Sequence, residues 1–134
     1  MRTLLLGLAA AAFSVAATVA SAQTMTPPAS DPIKRTPLQK SEYPAGHFTY
    51  VMMIEVAPNA TVARHTHPGV ESSYVLEGEL VLAIDGKPPL TVKAGDSFSI
   101  PPNTVHSAKA GARTVKLIGT FVVDKSKPIA SPAP

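Results

Sequence analysis

Residues 64–71 read Arg-His-Thr-His-Pro-Gly-Val-Glu. Side chains alternate between the two faces of a β-strand, so His65 and His67 would point to the same side. Pro68 and Gly69 favour a turn, after which Glu71 would come back toward the pair as an oxygen ligand. Imidazole and carboxylate together suit zinc, iron(II), manganese, nickel or copper better than calcium or magnesium. The stretch therefore predicts a buried metal site built on a strand and a turn.

His106 supplies a further candidate ligand, from a segment more than thirty residues beyond Glu71. A His-x-His pair considered alone is more often exposed, and a histidine that follows two prolines is more often a loop residue. Considered together, two imidazoles on one strand face, a carboxylate after the turn and a distant histidine provide four vertices for a divalent ion. His47 lies apart from this pattern, and we predict that it is a surface residue at the start of a strand.

Short apolar runs and turn residues on both sides of this stretch indicate an all-β chain. The predicted strands are 47–56, 61–67, 72–76, 79–84, 90–92, 97–100, 104–108 and 113–123, with 33–39 as a further edge strand. Asp85-Gly86 between two of them is typical of a type I′ hairpin turn. Eight or nine short strands at close spacing favour an antiparallel sandwich or barrel, whose mouth can hold one ligand or metal.

The composition limits the classes of protein that remain. The chain has 134 residues, of which 45% are hydrophobic and 16% are charged, which is enough for one domain with a core. The net charge is only +3, and the basic residues form no stripe with aromatic residues between them, so nucleic-acid binding has no support. There is no cysteine, so disulfides cannot stabilise the fold.

The first 22 residues have the pattern of a secretory signal peptide. A short basic start precedes an apolar run over 4–20, and Ala20-Ser21-Ala22 offers small residues for cleavage after Ala22. The alternative, a membrane anchor, is disfavoured because the run is short and has no basic flank after it. We therefore expect a secreted, periplasmic protein that has no membrane segment after cleavage. We further expect a Pro-rich extended arm over 23–45, a barrel over 46–124 and a flexible tail over 125–134.

The order of turn and ligand residues resembles the two motifs of the cupin superfamily. The first motif is Gly, five residues, His-x-His, three or four residues, Glu, six residues, Gly; the second is Gly, five residues, Pro-x-Gly, two residues, His, three residues, Asn. The matching positions are Asn59, His65, His67, Glu71 and Gly78 for the first motif, and Gly95, Pro101, Asn103, His106 and Ala110 for the second. The resemblance covers roughly residues 46–123.

Three positions depart from the motifs. Asn59 and Asn103 replace glycines, and both are expected to adopt positive φ, which Asn tolerates better than other residues with a side chain. Ala110 replaces an Asn that is not counted among the metal ligands. All four positions that bind metal in the family are present.

The resemblance implies an antiparallel double-sheet jelly-roll barrel in which His65, His67, Glu71 and His106 hold iron, manganese, nickel or zinc. It also implies two kinds of function. One is a metal-dependent enzyme acting on a small molecule, of dioxygenase type, or else an isomerase or decarboxylase, with Glu71 both a ligand and a proton acceptor. The other is a non-catalytic module that binds a small molecule or metal, since fold alone does not determine function. A homodimer, with the arm over 33–39 covering an edge strand, is also expected.

Overall fold

The structure is a computed structural model that describes residues 31–134. The predicted signal peptide and the first part of the Pro-rich arm lie outside the described residues. Ten strands follow one another in this range. They are β1 (Ile33–Ser41), β2 (His47–Val56), β3 (Thr61–Thr66), β4 (Val70–Glu77), β5 (Glu79–Ile84), β6 (Leu90–Lys93), β7 (Ser97–Ile100), β8 (His106–Ala110), β9 (Val115–Asp124) and β10 (Ser131–Pro132).

The strands form two five-stranded antiparallel sheets that face each other. One sheet has the order β1-β2-β9-β4-β7, and the other has the order β10-β3-β8-β5-β6. Strands that follow one another along the chain repeatedly change sheet, as in β2 to β3 and β3 to β4, and this makes the jelly roll. Within residues 31–134 there is no helix, and therefore none that could span a membrane. The predicted all-β, antiparallel double-sheet architecture is confirmed.

Alternation along the strands places the core between the two sheets. Every second residue of β9, from Val115 to Val123, is buried, and the residues between them are partly exposed. The buried core consists mainly of Val56, Val75, Leu80, Leu82, Val92, Ile100, Ala110, Val115 and Leu117. Four of these side chains also line the cavity that contains the histidines, namely Val56, Leu80, Leu82 and Leu117, so the apolar core extends up to the polar site.

The turns explain why the departures from the glycine motifs are tolerated. Asn59 has φ of 61° and Asn103 has φ of 57°, and they are the two non-glycine residues with positive φ in residues 31–134. The expected left-handed conformation is therefore confirmed at both positions. The type I′ turn predicted at Asp85-Gly86 was wrong, because that turn needs positive φ at both residues and Asp85 does not have it. Gly86 has positive φ, and a loop of 85–89 joins β5 to β6.

The C-terminal end of the described chain is more ordered than the sequence predicted, whereas the N-terminal end forms the expected edge strand. That strand, predicted over 33–39 within the Pro-rich arm, is β1, and it pairs with β2 of its own chain from Ile33 to Ser41. The expected flexible tail over 125–134 contains β10, which pairs with β3. The backbone N–H of Ala133 also donates to the carbonyl of Arg64. These backbone hydrogen bonds replace water partners, and this fixes segments whose Pro-rich composition suggested mobility.

Candidate metal centre

Both sheets contribute to the site. His65 on β3 and His106 on β8 are direct cross-strand partners, so their side chains project from the same face side by side. Glu71 lies on β4 in the opposite sheet. His67 follows the last residue of β3, in the short connection that crosses between the sheets. The sequence placed His67 inside a strand, whereas the structure places it in this crossing, still directed inward.

The four predicted site residues come together at one point. Their nearest ligand atoms all lie within 4.8 Å of one another. Oε2 of Glu71 is 3.2 Å from Nε2 of His67 and 3.2 Å from Nε2 of His106. Three of the four side chains are buried, and His65 is partly exposed. The arrangement could hold a metal ion through three imidazoles and one carboxylate.

The outer nitrogens of the rings determine which atoms face the centre. Nδ1 of His65 lies 2.8 Å from the carbonyl of Ala63, and Nδ1 of His106 lies 2.9 Å from the carbonyl of Thr104. Nδ1 of His67 lies 2.6 Å from the carbonyl of Ile129. A carbonyl oxygen can only accept a hydrogen bond, so each Nδ1 carries the proton and donates it. The neutral rings therefore turn three Nε2 lone pairs inward.

In this tautomer, buried nitrogen lone pairs face a carboxylate oxygen, and a bound cation would stabilise this arrangement. Nε2 of His67 and Nε2 of His106 are buried and have no hydrogen-bond partner among the described residues. Burying an unpaired polar atom costs free energy, and here the lone pairs also face a carboxylate oxygen. A divalent transition metal at the common point would accept all four electron pairs at once. The residues present therefore fit such an ion, and the histidine tautomers are those that ligation requires.

The second oxygen of Glu71 is held by a neighbour on the same strand. Oγ of Ser73 donates to Oε1 of Glu71 at 2.7 Å, and both side chains are buried. Burial raises the pKa of Glu71, but the adjacent His106 and His67 rings and the Ser73 hydroxyl lower it to about 2. Glu71 is thus ionised near neutral pH, with Oε1 occupied and Oε2 free to serve as a single-oxygen ligand.

Replacing Ser73 by Ala should weaken metal binding without unfolding the protein. Removal of a partner that orients a metal ligand typically costs about 10- to 100-fold in affinity, and we expect a loss in that range. Competition with a coloured chelator would measure it. Ser72→Ala removes the adjacent, exposed hydroxyl and serves as the control. Equal affinities in the two variants would show that Ser73 does not orient Glu71.

The C-terminal segment takes part in the site through its backbone. The carbonyl of Ile129 accepts the Nδ1 proton of His67, although the two residues are 62 positions apart in the sequence. The pairing of β10 with β3 holds this segment in place. No side-chain pattern marks this role, because the acceptor is a main-chain oxygen. The sequence therefore did not predict this contact, and the Pro-rich composition of residues 125–134 suggested a flexible tail instead.

Deletion of residues 127–134 should lower metal affinity by about tenfold or more, because His67 would lose the partner that fixes its tautomer. Deletion of residues 133–134 alone keeps Ile129 and should have a much smaller effect. Metal titration of both truncated proteins under the same conditions makes the comparison. An equal loss in both would indicate that the pairing of the tail, rather than the Ile129 carbonyl, supports the site.

Metal affinity should depend on pH through the histidines. Burial lowers the pKa of His106, but contact with Glu71 and the Thr104 carbonyl raise it by more, so the net shift is upward from 6.5. Burial is the main cause of the lowered pKa of His65. Protons compete with the metal for Nε2, so apparent affinity should fall steeply as the pH drops from about 7 to 5. Glu71 stays ionised over this range, so a titration that shows loss only below pH 4 would contradict the assignment.

The site opens into two adjoining chambers. The inner chamber, of about 70 Å³, is lined by apolar side chains from both sheets together with Arg35, the three histidines and Glu71. The outer chamber, of about 400 Å³, leads to solvent and is bounded on one side by residues 129–132. His65 and His67 line both chambers. The candidate metal position therefore borders the larger, more open chamber.

Other sequence predictions concern residues around the site. Arg64 is exposed and forms an ion pair with Asp85 at 2.8 Å. His47 lies outside the site at the start of β2, as expected. Phe121 is buried, and its ring centroid is 4.9 Å from that of His67. Arg35, which the sequence analysis passed over, lines both chambers.

Comparisons with known proteins agree with this architecture. The family model described as "Cupin domain" matches residues 52–121. The 3-hydroxyanthranilate 3,4-dioxygenase of Xanthomonas campestris pv. campestris (strain B100) is 35% identical over 72 residues, which cover 52% of this chain and 41% of that protein. The chain thus spans less than half of the length of that curated relative.

Solved structures give the same result for the fold. A cupin-like protein from Thermotoga maritima superposes with a TM-score of 0.63 and 26% identity, covering 75% of each chain. The DMSP lyase DddQ from Ruegeria pomeroyi superposes with a TM-score of 0.67 and 18% identity, covering 77% of this chain and 52% of that one. The family match extends over more than half of the sequence, from β2 to β9. The chain therefore belongs to the cupin family.

Proposed function

We propose that this protein is a metal-dependent dioxygenase that acts on a small molecule at a centre of three histidines and one glutamate. The observation that carries the proposal is the convergence of three Nε2 lone pairs and one carboxylate oxygen beside a cavity that opens to solvent. A purely structural metal site would have all of its coordination positions filled by protein ligands, with no open position facing a cavity. The similarity to 3-hydroxyanthranilate 3,4-dioxygenases, over part of their length, supports the same class.

The ligands of the proposed ion are His65, His67, Glu71 and His106. A divalent metal bound there, with iron(II) favoured over manganese, nickel or zinc, would supply Lewis acidity and a template for a chelating substrate and O2. Three neutral imidazoles and one carboxylate leave the centre with a net positive charge, which favours an anionic substrate donor. Four protein ligands also leave positions free on an ion that accepts five or six.

The chain's own side chains contribute orientation and exclusion of water. The backbone carbonyls of Ala63, Thr104 and Ile129 hold the three rings in the ligating tautomer. Apolar walls around the inner chamber keep water away from the reacting atoms and strengthen the electrostatic interactions there. Oε1 of Glu71 accepts from Ser73 and Oε2 faces the position of the proposed ion, so Glu71 serves in this proposal mainly as a ligand.

The test is oxygen uptake by iron(II)-loaded protein prepared without air. Catechols, 2-aminophenols including 3-hydroxyanthranilate, and β-diketones form the substrate panel, and mass spectrometry measures the gain of two oxygen atoms. Uptake that is lost in His106→Ala and kept in His47→Ala would support the proposal. Stoichiometric iron with tight binding of the panel compounds but no uptake would favour the alternative, a non-catalytic binding module.

Export and assembly complete the proposal. We infer from residues 1–22 that the protein is secreted to the periplasm, and cell fractionation with N-terminal sequencing would test cleavage after Ala22. A homodimer remains a prediction. β1, β7, β10 and β6 form the edges of the two sheets and are where such pairing would occur. Sedimentation of the mature protein would determine its oligomeric state.

A further inference from the structure

Arg35 is an exposed residue of the edge strand β1, on the face of that strand that also carries Ile33. In the β1–β2 ladder, Ile33 lies opposite Val56 and Arg35 lies opposite Ile54. Directly opposed residues of an antiparallel pair share a face, and Val56 is part of the buried core. The side chain of Arg35 therefore emerges from the inner face of its sheet, where it lines both chambers of the cavity.

No carboxylate in the described cavity is available to neutralise this arginine. Glu71 is the one acidic residue that lines the inner chamber; its Oε1 accepts from Ser73, its Oε2 faces Nε2 of His106 at 3.2 Å, and it forms no ion pair with Arg35. The outer chamber is lined by Arg35 and Arg64 with no acidic residue, and Arg64 is already paired with Asp85. Arg35 forms no ion pair or hydrogen bond with any side chain in residues 31–134.

We propose that Arg35 binds the carboxylate of a small, largely apolar organic acid whose other donor atom reaches the metal centre. The planar guanidinium matches a carboxylate with two parallel hydrogen bonds. The apolar body of such an acid would pack against Ile54, Val62 and Phe121, which line both chambers. This inference rests on the proposed function for the role of the metal, while the contact with Arg35 needs no metal.

A structural role for Arg35 is the competing explanation. β1 is an edge strand of its sheet, and an inward-pointing charge on an edge strand discourages pairing with other chains. That role requires only a charge on the strand and predicts self-association when it is removed. A carboxylate-binding role predicts discrimination between a charged ligand and its neutral counterpart. The two roles are therefore separable by experiment.

The experiment compares 2-hydroxybenzoate with 2-hydroxybenzamide, which has the same shape but no charge. Binding is measured by calorimetry to the metal-free protein and to the cobalt(II)-loaded protein, whose visible spectrum reports a ligand reaching the metal. The variants are Arg35→Gln, Arg35→Lys and Lys34→Gln. Lys34 is the matched control, because it precedes Arg35 on β1 and lies opposite Glu55 on the outer face, 4.0 Å from its carboxylate.

We expect Arg35→Gln to weaken 2-hydroxybenzoate binding by about 10- to 100-fold, the range for loss of a charged hydrogen-bonded pair. Binding of 2-hydroxybenzamide and the content of cobalt should not change, and Arg35→Lys should restore part of the preference for the acid. Lys34→Gln should match the wild type. Equal effects on the acid and the amide, no binding of either probe, or self-association of Arg35→Gln without loss of acid binding would overturn the proposal.

The failure of this proposal and that of the proposed function are distinguishable. If the protein binds neither cobalt nor any other divalent metal, the proposed dioxygenase function is refuted. The comparison of the acid with the amide on the metal-free protein would still decide the role of Arg35. Conversely, oxygen uptake on a neutral catechol with no preference for acids would keep the dioxygenase and remove the Arg35 contact.

Discussion

His106→Ala should leave the purified protein with far less than one metal ion per chain, whereas His47→Ala should keep the wild-type content. His106 is buried, lies opposite His65 across the β3–β8 ladder, and directs Nε2 at Glu71. Its loss removes one of four ligands. We expect affinity to fall by more than about 100-fold, since loss of a residue that only orients a ligand already costs about 10- to 100-fold.

Thermal unfolding gives a second measure of the same prediction. A ligand present at about 1,000 times its Kd stabilises the folded state by about 4 kcal/mol. In a domain of this size each kcal/mol corresponds to about 4–8 °C in Tm. Excess zinc or cobalt should therefore raise the Tm of the wild type by more than about 10 °C and change that of His106→Ala by far less. A wild type that binds no divalent ion, and whose Tm no such ion raises, would refute the metal centre.

Gly69→Ala is expected to be the most destabilising of the substitutions considered. Gly69 lies in the crossing connection between His67 and Glu71. A Cβ built at this position would run into the carbonyl of Val122 and come within 2.9 Å of Cα of Val123, which are backbone atoms of β9. Backbone in the centre of a sheet cannot move aside as a flexible side chain can. We expect a loss of about 3 kcal/mol or more in the free energy of unfolding, at the upper end for overpacking.

The control for this substitution is Gly86→Ala. Gly86 has φ of 77°, and a Cβ there would meet nothing within 4 Å, so alanine would carry only the cost of a left-handed conformation, about 1–2 kcal/mol. Urea unfolding measures the free energy of unfolding of both variants, and the difference between them separates the cost of the steric clash at residue 69 from that of backbone strain at residue 86. The clash at Gly69 should also push the two flanking ligands apart, so metal content should fall in that variant and stay normal in Gly86→Ala. Equal stability of the two would contradict the close approach.

Local sequence patterns predicted much of the fold, and they also predicted that the four site residues lie close together. Strand alternation placed His65 inward, and the turn at Pro68-Gly69 let Glu71 return beside it. Asn59 and Asn103 were predictable because few residues other than glycine adopt positive φ. These conclusions depend on near neighbours or on a motif with fixed spacing, and both can be read along the chain.

The parts that could not be predicted depend on contacts between distant segments. Alternation put Ser73 inward with Glu71, but nothing in the sequence says that its hydroxyl meets Oε1. The Ile129 carbonyl belongs to a Pro-rich segment whose composition suggests mobility, and main-chain oxygens carry no residue signature. The register of β1 against β2 determines which face of the sheet carries Arg35, and a shift of one residue would have placed it on the opposite face.

The separation of the site residues along the chain links metal binding to folding. The four ligand residues come from β3, the connection after it, β4 and β8, and the carbonyl that holds His67 belongs to Ile129, 62 positions further along the chain. Because these segments meet only once both sheets have formed, the complete ligand set belongs to the folded chain, and metal binding is coupled to folding. The ion acquired is then chosen among those present wherever the finished chain folds, and the surroundings, as much as the ligands, decide its identity.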